Sequence, residues 1–144
     1  PELLSYSKDD FIRYLTKFAS FCSYLFLFPK PVIAALNGHT IAGGCMIANA
    51  CDCRIMVSEK AKIALNEITF GASVFAGSVA ILKFCVGSRN AATILDSGAM
   101  YSPDEAARLG LVDQIVPAEN LMQTAEKAFY WPGADVLPGY KSVP

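Results

Sequence analysis

Apolar and polar positions change period several times along the chain, and each change marks an element. Ser7-Lys8-Asp9-Asp10 reads as a helix start, with Ser7 as N-cap and acids in the first turn. Apolar residues then recur at Phe11, Ile12, Leu15, Phe18, Ala19 and Cys22, a helical spacing that Pro29 and Pro31 end. Val32 to Leu36 is a short apolar run closed by Asn37-Gly38, the pattern of a buried strand in a parallel sheet. Ala42-Gly43-Gly44 predicts a tight turn opening a buried helix across Cys45 to Ala50. Arg54 to Val57 and Lys62 to Leu65 read as strands, the second ending at Asn66-Glu67. A helix is expected across Val79 to Phe84, stopping near Gly87. Ser102-Pro103-Asp104-Glu105 is a capping box with proline at N1; its helix should end at Gly110, before a strand over Leu111 to Val116. From Phe129 onward, Trp131-Pro132-Gly133 and Pro138-Gly139 interrupt any period, so the tail is expected to be irregular. Strands alternating with helices predict an α/β domain without internal sequence repeat.

Composition sharpens this picture. Of 144 residues, 53% are hydrophobic and 17% charged, which is apolar for a domain of this size and points to surface hidden in an assembly. The net charge of −1, without a basic stripe, argues against nucleic acid as a partner. The longest apolar run, Phe18 to Phe28, is too short for a membrane span, and no signal peptide opens the chain. The odd count of five cysteines, each with apolar neighbours, suggests reduced thiols in an intracellular protein. Cys51-Asp52-Cys53 is not a zinc spacing and His39 is the single histidine, so no metal site is expected. His39 reads as a structural or surface residue and Asp52 as a hydrogen-bonding structural acid.

Two places can carry chemistry. Glycine at the Gly43-Gly44 turn lets a ligand approach free backbone N–H groups at a helix start, which suits an oxyanion; close helix-on-sheet packing explains the same pair. Glu67 follows an apolar strand, where a carboxylate has a raised pKa and can act as a base; it equally suits the first turn of a following helix.

Taken in order, Lys30-Pro31-Val32-Ile33-Ala34-Ala35-Leu36-Asn37-Gly38, Ala42-Gly43-Gly44-Cys45 and Cys51-Asp52 resemble the signature of the enoyl-CoA hydratase/isomerase (crotonase) superfamily. Ser102 to Ala106 followed by Gly110-Leu111-Val112-Asp113 resembles its later segment, and the similarity runs from about Ser5 to Glu126. The resemblance implies a crotonase-type spiral of ββα units over residues 1–128, partial because N-terminal strands and C-terminal helices of the family are missing, and a tail over 129–144. It implies a thioester oxyanion hole of two N–H groups, one matching Gly43 and the other expected on a loop before Pro1. The family's hydratases carry two glutamates; Met46 stands at the first position and Glu67 at the second. Their Pro-Gly-rich turn is replaced by Val74-Phe75, and Leu65-Asn66-Glu67 is similar to the stretch of the Δ3,Δ2-enoyl-CoA isomerases, which use one glutamate.

Holding and activating water takes two carboxylates in those hydratases. Met46 cannot hold water and Phe75 would exclude it, whereas shifting a double bond needs one base. The expected activity is therefore Δ3-Δ2-enoyl-CoA isomerisation with catalytic Glu67, oxyanion donor Gly43 and Met46 and Phe75 in the substrate pocket. The alternatives are another superfamily reaction, such as hydration, decarboxylation or thioester hydrolysis, and a truncated, non-catalytic chain. The resemblance implies an acyl-CoA thioester as partner, no cofactor (coenzyme A being part of the substrate), and a homo-trimer or hexamer. It places the protein in the cytoplasm if bacterial and in mitochondria or peroxisomes if eukaryotic.

Overall fold

The computed structural model describes residues 5–128. The expected irregular tail over 129–144 lies outside the described residues. Helix α1 (Lys8–Phe26) is capped by Ser7, whose hydroxyl accepts the Asp10 N–H. Then come β1 (Ile33–Leu36), β2 (Thr40–Ile41) and α2 (Gly43–Asn49), followed by β3 (Cys53–Val57), β4 (Ile63–Ala64) and α3 (Ala76–Ser97). A 3₁₀ turn, Glu67–Phe70, stands between β4 and α3. The chain closes with α4 (Pro103–Leu109), β5 (Gln114–Val116) and α5 (Leu121–Ala128).

The connectivity repeats strand, strand, helix. First strands pair with first strands: β1, β3 and β5 form one parallel sheet, with Ile33 opposite Cys53 and Ile55 opposite Gln114. Second strands pair with second strands: β2 and β4 run parallel, with Thr40 opposite Ile63 and Ile41 opposite Ala64. Each ββα unit thus lies on the one before it as a turn of a spiral, although the sequence shows no repeat. Parallel pairing requires crossover connections; α5 packs on β1 and β3, α2 packs on β2, and α1 and α3 pack on α2 and on each other. The core is built from Ile55, Met56, Ile63, Leu65, Leu82, Ile94 and Leu111, all nearly inaccessible.

Several elements differ from the sequence expectation. The helix expected to stop near Gly87 starts at Ala76 and resumes beyond Gly87 to Ser97; Gly87, at φ 76° and ψ 159°, only interrupts it. Of the strand expected over Leu111 to Val116, only Gln114–Val116 pairs, while Leu111 and Val112 are buried. The first strand is half-buried, because among the described residues it pairs on one side alone, with β3. The capping box is present as expected: Glu105 accepts the Ser102 N–H at 2.7 Å, and Ser102 accepts the Glu105 N–H at 3.4 Å. Strand β2 and helix α5 were not expected; β2 is two residues long, and α5 begins directly after a 3₁₀ turn.

Buried Arg54 joins the first sheet to the approach to β5. Its guanidinium donates to Asp113 (2.8 Å) and to the Cys51 carbonyl (3.0 Å), and the Arg54 N–H donates to the same carboxylate. Asp52 accepts the Val32 N–H at 2.7 Å, and His39 Nδ1 accepts the Lys62 N–H at 3.0 Å. Both thus have structural partners, as read from the sequence.

Candidate active site

Gly43 and Glu67 are far apart in sequence, and each follows one of the two paired strands, β2 and β4. The two short parallel strands end level, and the Ala42 N–H donates to the Ala64 carbonyl at 2.8 Å. One strand continues into α2 through Ala42 and Gly43. Its neighbour continues through Leu65 and Asn66 into Glu67.

Ala42 is the non-glycine residue of positive φ among those described, at φ 52° and ψ −117°. Such a conformation costs about 1–3 kcal/mol and persists only where its surroundings hold it. Here the Ala42 N–H is bound to Ala64 and its carbonyl accepts the Met46 N–H at 3.0 Å, so both sides of the strained peptide are tied. The turn sets the Gly43 N–H at the free start of α2, where it donates to no described residue. A side chain at Gly43 would crowd the Phe18 ring, with a Cβ only 3.2 Å from Cζ.

Glu67 is the first residue of the 3₁₀ turn and only 6% exposed. Neither carboxylate oxygen has a hydrogen-bond partner among the described residues. Burial pushes its pKa up from the ordinary carboxylate range, and its own backbone N–H offsets part of the rise. A helix-capping acid would have bonded the N–H groups after it; this one does not. The carboxylate borders a cavity of about 280 Å³, whose walls include Leu65, Val74, Val79 and Leu95 and whose polar lining adds Ser73 and Asp96.

The other expected pocket residues, Met46 and Phe75, are not among the residues that line this cavity. Met46 is buried (5% exposed) in the core, one turn into α2. Phe75 is half-buried at the N-cap of α3, with its ring centroid 6.0 Å from that of Phe18. Phe18 therefore touches both the Gly43 turn and Phe75, a role its place in the α1 period did not reveal. Buried Cys45, beside Glu67, has its thiol pushed up to about 12 by burial and then by the glutamate's charge, so it is no nucleophile. Among the described residues, no group of three or more His, Cys, Asp or Glu is placed to hold a metal ion. Nor is any helix there long and apolar enough to cross a membrane. Asp96 and Ser73 escaped the sequence reading, since an exposed acid near a helix end carries no distinguishing pattern.

The geometry has close counterparts. The family model for enoyl-CoA hydratase/isomerase matches residues 6–130. A mitochondrial enoyl-CoA hydratase of Pongo abelii is 38% identical over 112 residues, 78% of this chain and 38% of that protein. Mitochondrial enoyl-CoA delta isomerase 1 of Homo sapiens is 37% identical over 98 residues, 67% of this chain and 32% of that protein. The chain thus spans well under half the length of these curated relatives. The crystal structure of human mitochondrial delta3-delta2-enoyl-CoA isomerase superposes with a TM-score of 0.88 at 28% identity, covering 96% of this chain and 55% of that one. An enoyl-CoA hydratase/isomerase family structure from Pseudomonas syringae shares the fold at a TM-score of 0.87 with 20% identity, covering 97% of this chain and 62% of that one. The spiral of ββα units is the crotonase fold, and the chain belongs to the enoyl-CoA hydratase/isomerase family.

Proposed function

We propose that the protein moves the double bond of a 3-enoyl-CoA thioester to the 2-position, with Glu67 as the single base. The observation that carries this reading is the buried, unpartnered Glu67 carboxylate on an otherwise largely apolar cavity, following the strand paired with the one that leads to Gly43. The carboxylate takes a proton from C2 of the acyl group, and the electron pair moves into the thioester carbonyl. The Gly43 N–H donates to the oxygen that becomes negative. The protonated acid then returns its proton at C4, which leaves the double bond conjugated with the carbonyl and the carboxylate regenerated. A raised pKa suits both halves, since the acid formed after the first step must hold its proton briefly.

Hydration of a 2-enoyl thioester is the second reading, favoured by the hydratase names among the relatives. Against it stands Met46, buried and without a polar atom suited to hold water. Product analysis on both substrates separates the two. Conversion of 3-enoyl-CoA to 2-enoyl-CoA without a 3-hydroxyacyl product supports isomerisation; efficient formation of the 3-hydroxyacyl product from 2-enoyl-CoA overturns it. We also propose a homo-trimer or hexamer, supported by exposed Phe11, Ile12, Phe21, Tyr24 and Leu27 along α1 and after it. Light scattering showing a monomer at micromolar concentration would count against that assembly.

A further inference from the structure

The cavity that Glu67 borders has a second ionisable residue in its lining. Asp96, exposed, lies in the last turn of α3. That is an electrostatically poor place for an acid, because the helix C-terminus carries partial negative charge and no basic residue in the turn answers it. Among the described residues Asp96 makes no ion pair, so its charge is left to the cavity and to solvent. Apart from Ser73, the rest of the lining is apolar and includes Leu65, Val74, Val79 and Leu95. A hydrocarbon reaching past Glu67 would run along these walls and bring its far end toward the negative charge.

We propose that Asp96 is a specificity-determining residue, which admits acyl chains with a neutral or cationic far end and rejects chains ending in a carboxylate. This rests on the reading that the acyl group of a CoA thioester occupies the Glu67 cavity. Like unit charges at an exposed site repel only weakly, so discrimination of about fivefold to tenfold is expected at low ionic strength, fading as salt screens it.

The test is equilibrium binding to the full 144-residue chain. The probes are saturated thioesters that cannot isomerise, at six- and eight-carbon lengths: the plain acyl-CoA, its ω-carboxy form and its ω-trimethylammonio form. The unmodified protein should bind the ω-carboxy form about fivefold to tenfold more weakly than the plain one. Asp96→Asn should reduce that ratio to within about twofold, and Asp96→Lys should reverse the order of the two charged probes. An unchanged order in both variants overturns the proposal, with circular dichroism confirming that they are folded. Failure of the plain acyl-CoA to bind would remove this inference and the proposed function together. Ordered binding without turnover would remove the isomerase reading and leave this one standing.

Discussion

Replacing Glu67 by Gln should move activity and stability in opposite directions. The glutamate is 6% exposed with both oxygens unpartnered, so above its pKa the fold holds an uncompensated charge away from water. Burial raises its folded pKa above the unfolded value. The native state therefore binds the proton more tightly than the unfolded state, and stability falls as pH rises from the unfolded pKa through the folded one. Above the folded pKa the penalty is complete. Gln keeps the shape and removes the charge; an unsatisfied buried polar group costs about 1–3 kcal/mol and a charged one more, so the variant should gain about 1 kcal/mol at pH 8. For a domain of this size that is a rise of roughly 3–5 °C in Tm. The gain should vanish at acidic pH, where the native glutamate is already protonated. Turnover of 3-enoyl-CoA should meanwhile drop by about 10²–10⁴, the usual contribution of a general base. Thermal melts from pH 4 to 8, with turnover measured on the same samples, supply both readouts. A variant less stable at pH 8, or a Tm difference independent of pH, would refute the electrostatic argument; near-normal turnover would refute the catalytic one.

Met46→Glu would bury a second carboxylate in an apolar cluster and should lower stability by about 3 kcal/mol at neutral pH, read by urea unfolding, while restoring little hydration. Asp113→Ala should cost about 2–3 kcal/mol, because it strands the Arg54 guanidinium, which is 6% exposed; the half-exposed aspartate keeps the figure below that of a fully buried pair. Gly98→Ala should cost about 1–3 kcal/mol, since a Cβ there would lie 2.7 Å from Ile68 Cγ2 at a φ of +56°. Because Ile68 follows Glu67, that variant should also lose turnover, and an unperturbed Tm would show that the 3₁₀ turn yields freely.

The parts of the fold that were legible in the sequence are those governed by local chemistry. Ser7, the Ser102 box and Gly110 bound helices α1 and α4 through caps that need nothing distant. Strand β2 was invisible because two residues carry no period, and its existence depends on β4, more than twenty positions on. Gly87 resembled a helix end because its positive φ belongs to one; only the packing of residues such as Ala91 and Ile94 in the core carries the helix onward. At the site, Glu67 and Gly43 came from motif resemblance, while the pairing of the strands that precede them was not legible. Phe18 and Asp96 were missed for opposite reasons. The first was hidden among other apolar positions of α1, and the second is a single exposed acid without a spacing.

The level ending of β2 and β4 also determines where the chain tolerates a change in length. The segment from Ser58 to Lys62 joins β3 to β4, its first three residues are exposed, and it precedes the pairing of Thr40 with Ile63. A residue inserted there lengthens a surface loop and leaves Ala64 opposite Ile41. The same insertion between Ala64 and Glu67 would turn the carboxylate out of its cavity without touching any catalytic atom. Deletions divide at the same boundary, so length variation among related chains has room before Ile63 and almost none in the three residues that follow Ala64.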